Sequence, residues 1–188
     1  SHEVILIHAE QGLKHTLTLP EGRANSLHGI LFTPDSRTVF VAGHHGQVEK
    51  LRIADGGKLE LDESRKPWNS ALCGMSFSLD GKYAYAAASP SNRLLVLSSE
   101  LDTELTSVPT GVAPYSVVHG PENKLYVSNW GGRHAAEGEP SARTDGARLL
   151  IDPKTGVPIS GTVTVLQGQG RSLDAIKSID VGRFPCQL

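Results

Sequence analysis

Three stretches decide the fold: Gly29-Ile-Leu-Phe-Thr-Pro-Asp-Ser-Arg-Thr-Val-Phe-Val41, Gly74-Met-Ser-Phe-Ser-Leu-Asp-Gly-Lys-Tyr-Ala-Tyr-Ala86 and Tyr115-Ser-Val-Val-His-Gly-Pro-Glu-Asn-Lys-Leu-Tyr-Val127. They align without a gap, and their aromatic anchors Phe40, Tyr85 and Tyr126 lie 45 and 41 residues apart. Each reads as an apolar strand, a tight turn and a second strand in which apolar and polar residues alternate, the pattern of a half-buried hairpin. The turns carry Asp35-Ser36, Asp80-Gly81 and Glu122-Asn123, residue types that tolerate the left-handed backbone of short hairpins. The acids Asp35, Asp80 and Glu122 are read as recurring at one repeat position. That regularity argues for turn chemistry, because a catalytic pair would be peculiar to one place.

Working outward, each hairpin is followed by a third apolar strand, at Val48–Ile53, Leu94–Leu97 and Thr162–Leu166, and by a more polar fourth, at Lys58–Asp62, Glu104–Val108 and Ile176–Val181. Four strands in a unit of about 40–45 residues is the period of a β-propeller blade. Val4–Ile7 and His15–Leu19 fit as a third and fourth strand, so the chain enters in mid-blade. At the far end Val181-Gly-Arg-Phe-Pro185 echoes Thr110-Gly-Val-Ala-Pro114, which opens a blade. The expectation is all-β: about three to three and a half four-stranded blades of a propeller. Residues 1–20 end one blade, 27–63 and 72–109 are full blades, 115–181 is a blade with an insertion over 130–161, and 182–188 start the next. No window sustains helical spacing, and Gly or Pro interrupts most candidates.

Composition agrees. Of 188 residues, 20 are Gly and 11 are Pro, about one in six, which suggests many turns. Apolar residues are 38%, enough for a core. Eighteen basic against twenty acidic residues give a net charge of -2, so no global basic field points to nucleic acid. Apolar runs such as Leu94–Leu97 are too short to span a bilayer, and two cysteines build neither a disulfide framework nor a four-cysteine zinc site. Ser1-His2 has the look of a tag remnant, so the chain is expected to be an internal piece of a longer protein.

The Gly-x-x-Pro pattern, the acidic turns and Lys124-Leu-Tyr-Val-Ser-Asn129 resemble the bacterial YVTN/YncE-type propeller repeat. More narrowly, Tyr126-Val-Ser-Asn-Trp-Gly-Gly-Arg133, Asp152-Pro-Lys-Thr-Gly156 and Ser160-Gly-Thr-Val-Thr-Val165 are similar to the propeller half of proteins that fuse such a propeller to an alkaline-phosphatase-superfamily phosphoesterase. The resemblance implies a ring of seven blades, a periplasmic or secreted location and an enzyme domain elsewhere in the protein. None of that enzyme's ligands or nucleophile falls on a residue of this sequence. The first two blades depart from the signature, with Val39-Phe-Val-Ala42 and Ala84-Tyr-Ala-Ala87 in its place.

In such folds ligands meet the face where the loops joining strands two to three and four to one converge. The third blade's insertion, Trp130 to Gly161, lies there, as a docking arm or a decorated loop packed on its neighbours. Leu149-Leu-Ile151 and the Asp152–Gly156 turn suggest a small hairpin within it. Asn129, Trp130 and Arg133 open the arm, and Trp and Arg are frequent in binding hot spots. For Trp130 the favoured reading is nonetheless structural, an anchor that seats the arm on the blade. Trp68 and Asn69, in a four-to-one loop, and His45, in a two-to-three loop, complete the candidate ligand residues. Eight histidines invite a metal hypothesis, but only His44 and His45 are close in sequence and no His-Glu-x-x-His spacing occurs, so no metal and no cofactor are expected.

The leading reading is a non-catalytic scaffold and recognition domain whose partners are adjacent blades or domains and a protein or small molecule on the loop face. One alternative is a propeller hydrolase similar to the gluconolactonase/SMP-30 group, which holds a divalent cation around its axis. The residues opening each first strand here, Asn25–His28, Ser70–Cys73 and Val112–Tyr115, contain no carboxylate. The other is a surface protein-interaction module. Cys73 and Cys186 fall in blades two steps apart and are expected not to pair. Val39, Val41 and Ile179 are expected to be exposed on outward blade faces.

Overall fold

The computed structural model of the chain describes residues 3–10, 12, 14–19, 27–43, 45–65, 68–144, 147–186 and 188. Among them the only helical element is a single 3-10 turn, Gly170–Ser172. The protein is all-β. The described residues form sixteen strands, in order β1 (Glu3–Ile7), β2 (Lys14–Thr18), β3 (Leu27–Phe32), β4 (Thr38–Gly43), β5 (Val48–Ala54), β6 (Lys58–Arg65), β7 (Leu72–Phe77), β8 (Tyr83–Ala88), β9 (Arg93–Ser98), β10 (Glu104–Pro109), β11 (Val112–His119), β12 (Lys124–Gly132), β13 (Ser141–Thr144), β14 (Ala147–Leu150), β15 (Gly161–Gln167) and β16 (Asp174–Val181). Three four-stranded sheets result, β3-β4-β5-β6, β7-β8-β9-β10 and β11-β12-β15-β16, with two-stranded ribbons β1-β2 and β13-β14. Each four-stranded sheet is antiparallel in every pairing described and runs as a meander, interrupted in the third by the ribbon β13-β14, which stands between β12 and its partner β15 in the chain.

Two compact units divide the chain, 1–72 and 73–188. In the first, the ribbon β1-β2 and the sheet β3-β6 bury Val4, Leu19, Val39, Val41, Leu51 and Leu59 together. The Leu59 N–H donates to His15 Nδ1 at 3.1 Å, tying β6 to β2. Val39 and Val41, expected at an outward face, are therefore buried, at 2% and 0% exposure. The neighbouring strand β3 carries the exposed apolar side chains instead, Ile30 and Phe32. Ile179, on β16, is exposed as expected.

In the second unit two sheets meet face to face. Tyr85, Leu94, Val96 and Val108 of one pack with Val117, Leu125, Val127 and Leu166 of the other, closed by Leu173. Strand β8 is buried from Ala84 to Ala88, and its alanines keep a strand covered on both faces thin. The Tyr85 hydroxyl reaches out of this core to accept the Gly170 N–H at 3.2 Å.

The hairpin turns bear on the repeat. Thr33 Oγ1 donates to Asp35 Oδ1 at 2.6 Å while the Arg37 N–H donates to the same carboxylate, and Ser78, Asp80 and Lys82 repeat the device. Glu122 does not share it. Its carboxylate takes Lys124 Nζ at 2.6 Å, and Glu122 and Asn123 both hold positive φ, 58° and 54°. In the gapless alignment Glu122 falls opposite Ser36 and Gly81, which also have positive φ. The shared constraint is thus backbone handedness, while the Asp device belongs to two turns of the three.

Leu166→Ala should destabilise the chain by about 2–5 kcal/mol, whereas Leu79→Ala, at a side chain 75% exposed, should change little in urea unfolding. Hydrogen bonds from Thr33 and Ser78 hold Asp35 and Asp80 below the ordinary value of 3.8. Their contribution is therefore complete above the unfolded-state value and lost as pH falls past it, below about pH 4. The double variant Asp35→Asn, Asp80→Asn should show a shallower fall of the urea midpoint over that acid range than the parent.

Candidate functional site

One theme recurs at the loop end of the strands: each segment joining a sheet's second and third strands is bonded to the segment that follows its fourth. In the first unit Gly46 O accepts the Trp68 N–H at 2.8 Å. In the second, Asn92 O accepts the Thr110 N–H at 3.1 Å and Asn92 Oδ1 accepts the Ala113 N–H at 2.8 Å, and the Gly161 N–H donates to Gly182 O at 3.1 Å. The Gly-x-x-Pro echo is conformational as well: Ala113 and Phe184, each preceding a proline, both hold left-handed backbone, φ 54° and 55°.

The candidate residues sort by this clamp. His45 and Trp68–Asn69 come together in the first unit, because the Gly46–Trp68 bond lies between them. A side chain at Gly46 would strike Trp68 O at 2.2 Å, so the two loops touch backbone to backbone. His45 and Asn69 are exposed, and Trp68 is half-buried with its indole N–H buried and without a hydrogen-bond partner among the described residues. His44 lies outside the described residues.

Asn129, Trp130 and Arg133 open the arm in the second unit and have three different surroundings. Asn129 is fully buried. Its Nδ2 donates to Thr162 Oγ1 at 3.1 Å and Thr164 Oγ1 at 2.9 Å, and Thr164 Oγ1 also accepts the Gly111 N–H at 3.2 Å. This knot joins β12, β15 and the segment leading into β11. Gly111 is there because nothing larger fits: an added Cβ would lie 2.6 Å from Gly132 O and 2.7 Å from Thr162 Oγ1.

Trp130 is 39% exposed and packs on Phe184, ring centroids 4.7 Å apart and tilted by 39°. Phe184, itself half open to solvent, is a partner that the sequence signals only through the Gly-x-x-Pro echo. Arg133 forms a two-pronged pair with Glu139, both bonds 2.7 Å. That guanidinium, with the Ala136 N–H, lowers the Glu139 carboxyl to about 2. Arg133 thus closes the first loop of the arm on itself.

The arm carries its own hairpin, upstream of the place the sequence suggests. Strand β13 pairs with β14, Ser141 opposite Leu150 and Arg143 opposite Arg148. His134 bridges to Leu149 on the other side, and an Ile151–Pro158 bridge closes the Asp152–Gly156 turn. The signal for β13–β14 is Asp145-Gly146, a frequent two-residue hairpin turn, in a pair of residues outside those described. Ala147 and Leu149 press on Val112 in a buried cluster, which seats the arm on the sheet.

Cys73, buried, and Cys186, exposed, are both free thiols. Among the described residues no three of His, Cys, Asp and Glu gather as a metal cluster would, and no helix is long and apolar enough to cross a membrane.

No family model matches the chain, and no curated protein matches it in sequence. Solved structures do. It is similar to the hydrazine synthase of Kuenenia stuttgartiensis (TM-score 0.65, 16% identity, 96% of this chain and 44% of that one). It is also similar to a luciferin-regenerating enzyme (TM-score 0.57, 15% identity, 85% and 50%) and to a complex of KlAtg21 with the coiled coil of AgAtg16 (TM-score 0.56, 10% identity, 95% and 49%). At these identities the likeness is one of fold alone. The chain spans about half the length of each.

Gly111→Ala should cost about 1–3 kcal/mol, because backbone and a buried hydroxyl crowd that position, while Gly182→Ala, with open space around it and no left-handed backbone to strain, should cost less. Thermal unfolding of the two variants beside the parent measures the difference.

Proposed function

We propose that the chain is a section of a β-propeller, its four-stranded sheets acting as blades, and that it serves as a non-catalytic recognition scaffold. The observation that carries this reading is the arm. An apolar inner face seats it on a sheet through Val112, Ala147 and Leu149, while charged and aromatic side chains stand on its solvent side. Such a division, an anchored base beneath an exposed polar and aromatic surface, suits a docking element. The meander sheets, the repeated loop clamps and the repeated left-handed residue before proline support the blade reading.

The parent protein, on this reading, is a longer extracytoplasmic ring of the YVTN/YncE type with a phosphoesterase domain in the same chain. The motifs around Tyr126–Arg133 and Ser160–Val165 support that part. Trp130 and Arg133 are the surface members of the arm's recognition set and Asn129 holds the arm's root in place, while His45, Trp68 and Asn69 are a separate candidate cluster within the first unit.

Site-specific photo-crosslinking in the full-length protein tests the proposal. A crosslinking residue at Trp130 or Arg133 should capture a partner domain or protein, and one at Lys82 or Asn123, in the hairpin turns, should capture little. Equal capture at both sets, or capture from the turns alone, would remove the arm from recognition.

A further inference from the structure

The arm's hairpin contains a juxtaposition that costs stability. Arg143 and Arg148 are direct cross-strand partners, and both are exposed. Directly opposed residues bring their Cβ atoms within about 4.5–5.5 Å, a spacing at which like charges repel. No ion pair joins either guanidinium to an acid among the described residues. Glu139 is held by Arg133, and the Asp152 carboxylate accepts the Lys154 N–H at 2.8 Å. Arg148 donates from Nε and Nη2 to Ser141 Oγ, at 3.1 and 2.8 Å, and Arg143 has no hydrogen-bond partner among the described residues. A hydroxyl that accepts twice from one guanidinium keeps its own proton to donate elsewhere. The Ser141 hydroxyl proton, the Arg143 guanidinium and the remaining N–H groups of Arg148 thus stand on one face of a small sheet with no protein acceptor among the described residues.

The second observation is an edge. The ribbon is two-stranded, and β14 has Ala135 N–H bonded to Arg148 O at 2.8 Å on its far side. Strand β13, Ser141–Thr144, pairs with β14 alone among the described strands, which leaves its other edge open to a further strand.

We propose that the arm takes up an extended acidic segment of a partner protein, added as a strand to the open edge of β13, with its carboxylates on Arg143 and Arg148. Strand addition supplies backbone bonds of no particular sequence, and the arginine pair selects for acid on alternate positions. Neutralising two opposed cations relieves a repulsion present in the free protein, so charge complementarity favours this occupant over a neutral or basic one. The inference rests on the arm being the recognition element.

The test uses short peptides of alternating Val and Glu, with Val–Lys peptides and inorganic phosphate as comparisons, titrated into the full chain. The Val–Glu peptide should bind, the double variant Arg143→Glu, Arg148→Glu should weaken it by roughly tenfold or more, and hydrogen exchange should show new protection at Ser141–Thr144. Lys154→Glu, elsewhere on the arm, should leave binding unchanged. Equal binding of the Val–Lys peptide, or indifference to charge reversal, overturns the proposal. Competition by phosphate without protection at β13 also overturns it, in favour of a simple oxyanion site. Circular dichroism checks folding, and Arg143→Gln replaces the double variant should that one unfold. If crosslinking at Trp130 and Arg133 captures a partner while charge reversal changes nothing, only the acidic-strand inference falls. If neither responds, the recognition reading falls with it.

Discussion

The crowding at Gly111 is the constraint from which the second unit is best understood. Backbone from the segment entering β11 comes so close to Gly132 and Thr162 that a methyl group would overlap them, and the Gly111 N–H spends its one donor on Thr164. The same threonine receives Asn129, which lies at the end of a strand just where the chain departs into the arm. A buried amide with two hydroxyls in reach is strongly located, because displacing it would leave several polar atoms dry at once. The exit of the arm is therefore fixed by polar contacts inside the sheet, and its path beyond is fixed by apolar ones, Ala147 and Leu149 on Val112. Flexible loops rarely have both kinds of anchor.

This arrangement divides the neighbouring residues Asn129, Trp130 and Arg133 by role. The first is interior, the second straddles the surface against Phe184, and the third is committed to Glu139. Their closeness in sequence does not give them a common surrounding or a common role. The charges left without a partner are further out, on β13 and β14, where the sheet that carries them is small and its outer edge is open.

How much of this is legible in the sequence follows from the range of the forces involved. The hairpins and their neighbours are legible because alternation and turn residues act over a few positions, and every expected strand from Val4–Ile7 to Ile176–Val181 has its counterpart. The knot is not, since Asn129 and Thr164 are 35 residues apart and nothing in a Ser-Asn-Trp string distinguishes a buried amide from an exposed one. Burial of Val39 and Val41 is hidden for a similar reason. It depends on β1-β2 packing over them, a contact between segments whose local patterns are silent about each other. The turn of the third repeat shows the reverse error, in which similar residue types, Asp and Glu, suggest one device where the shared property is handedness of the backbone.

The ribbon inside the arm also bears on how the third sheet assembles. Strands β8 and β9 are joined by four residues, whereas β12 and β15 must find each other across the whole arm. For a featureless chain, closing a loop of that length rather than a tight turn costs on the order of 1–2 kcal/mol more in entropy. Hairpins form in microseconds, far faster than sheets with distant partners. Once β13 and β14 have paired and the Ile151–Pro158 bridge has closed, the flexible length between Asn129 and Thr162 is much reduced. The insertion then behaves in folding as a short linker with a folded nodule on it, and the meander can carry on past it in the order in which the chain is made.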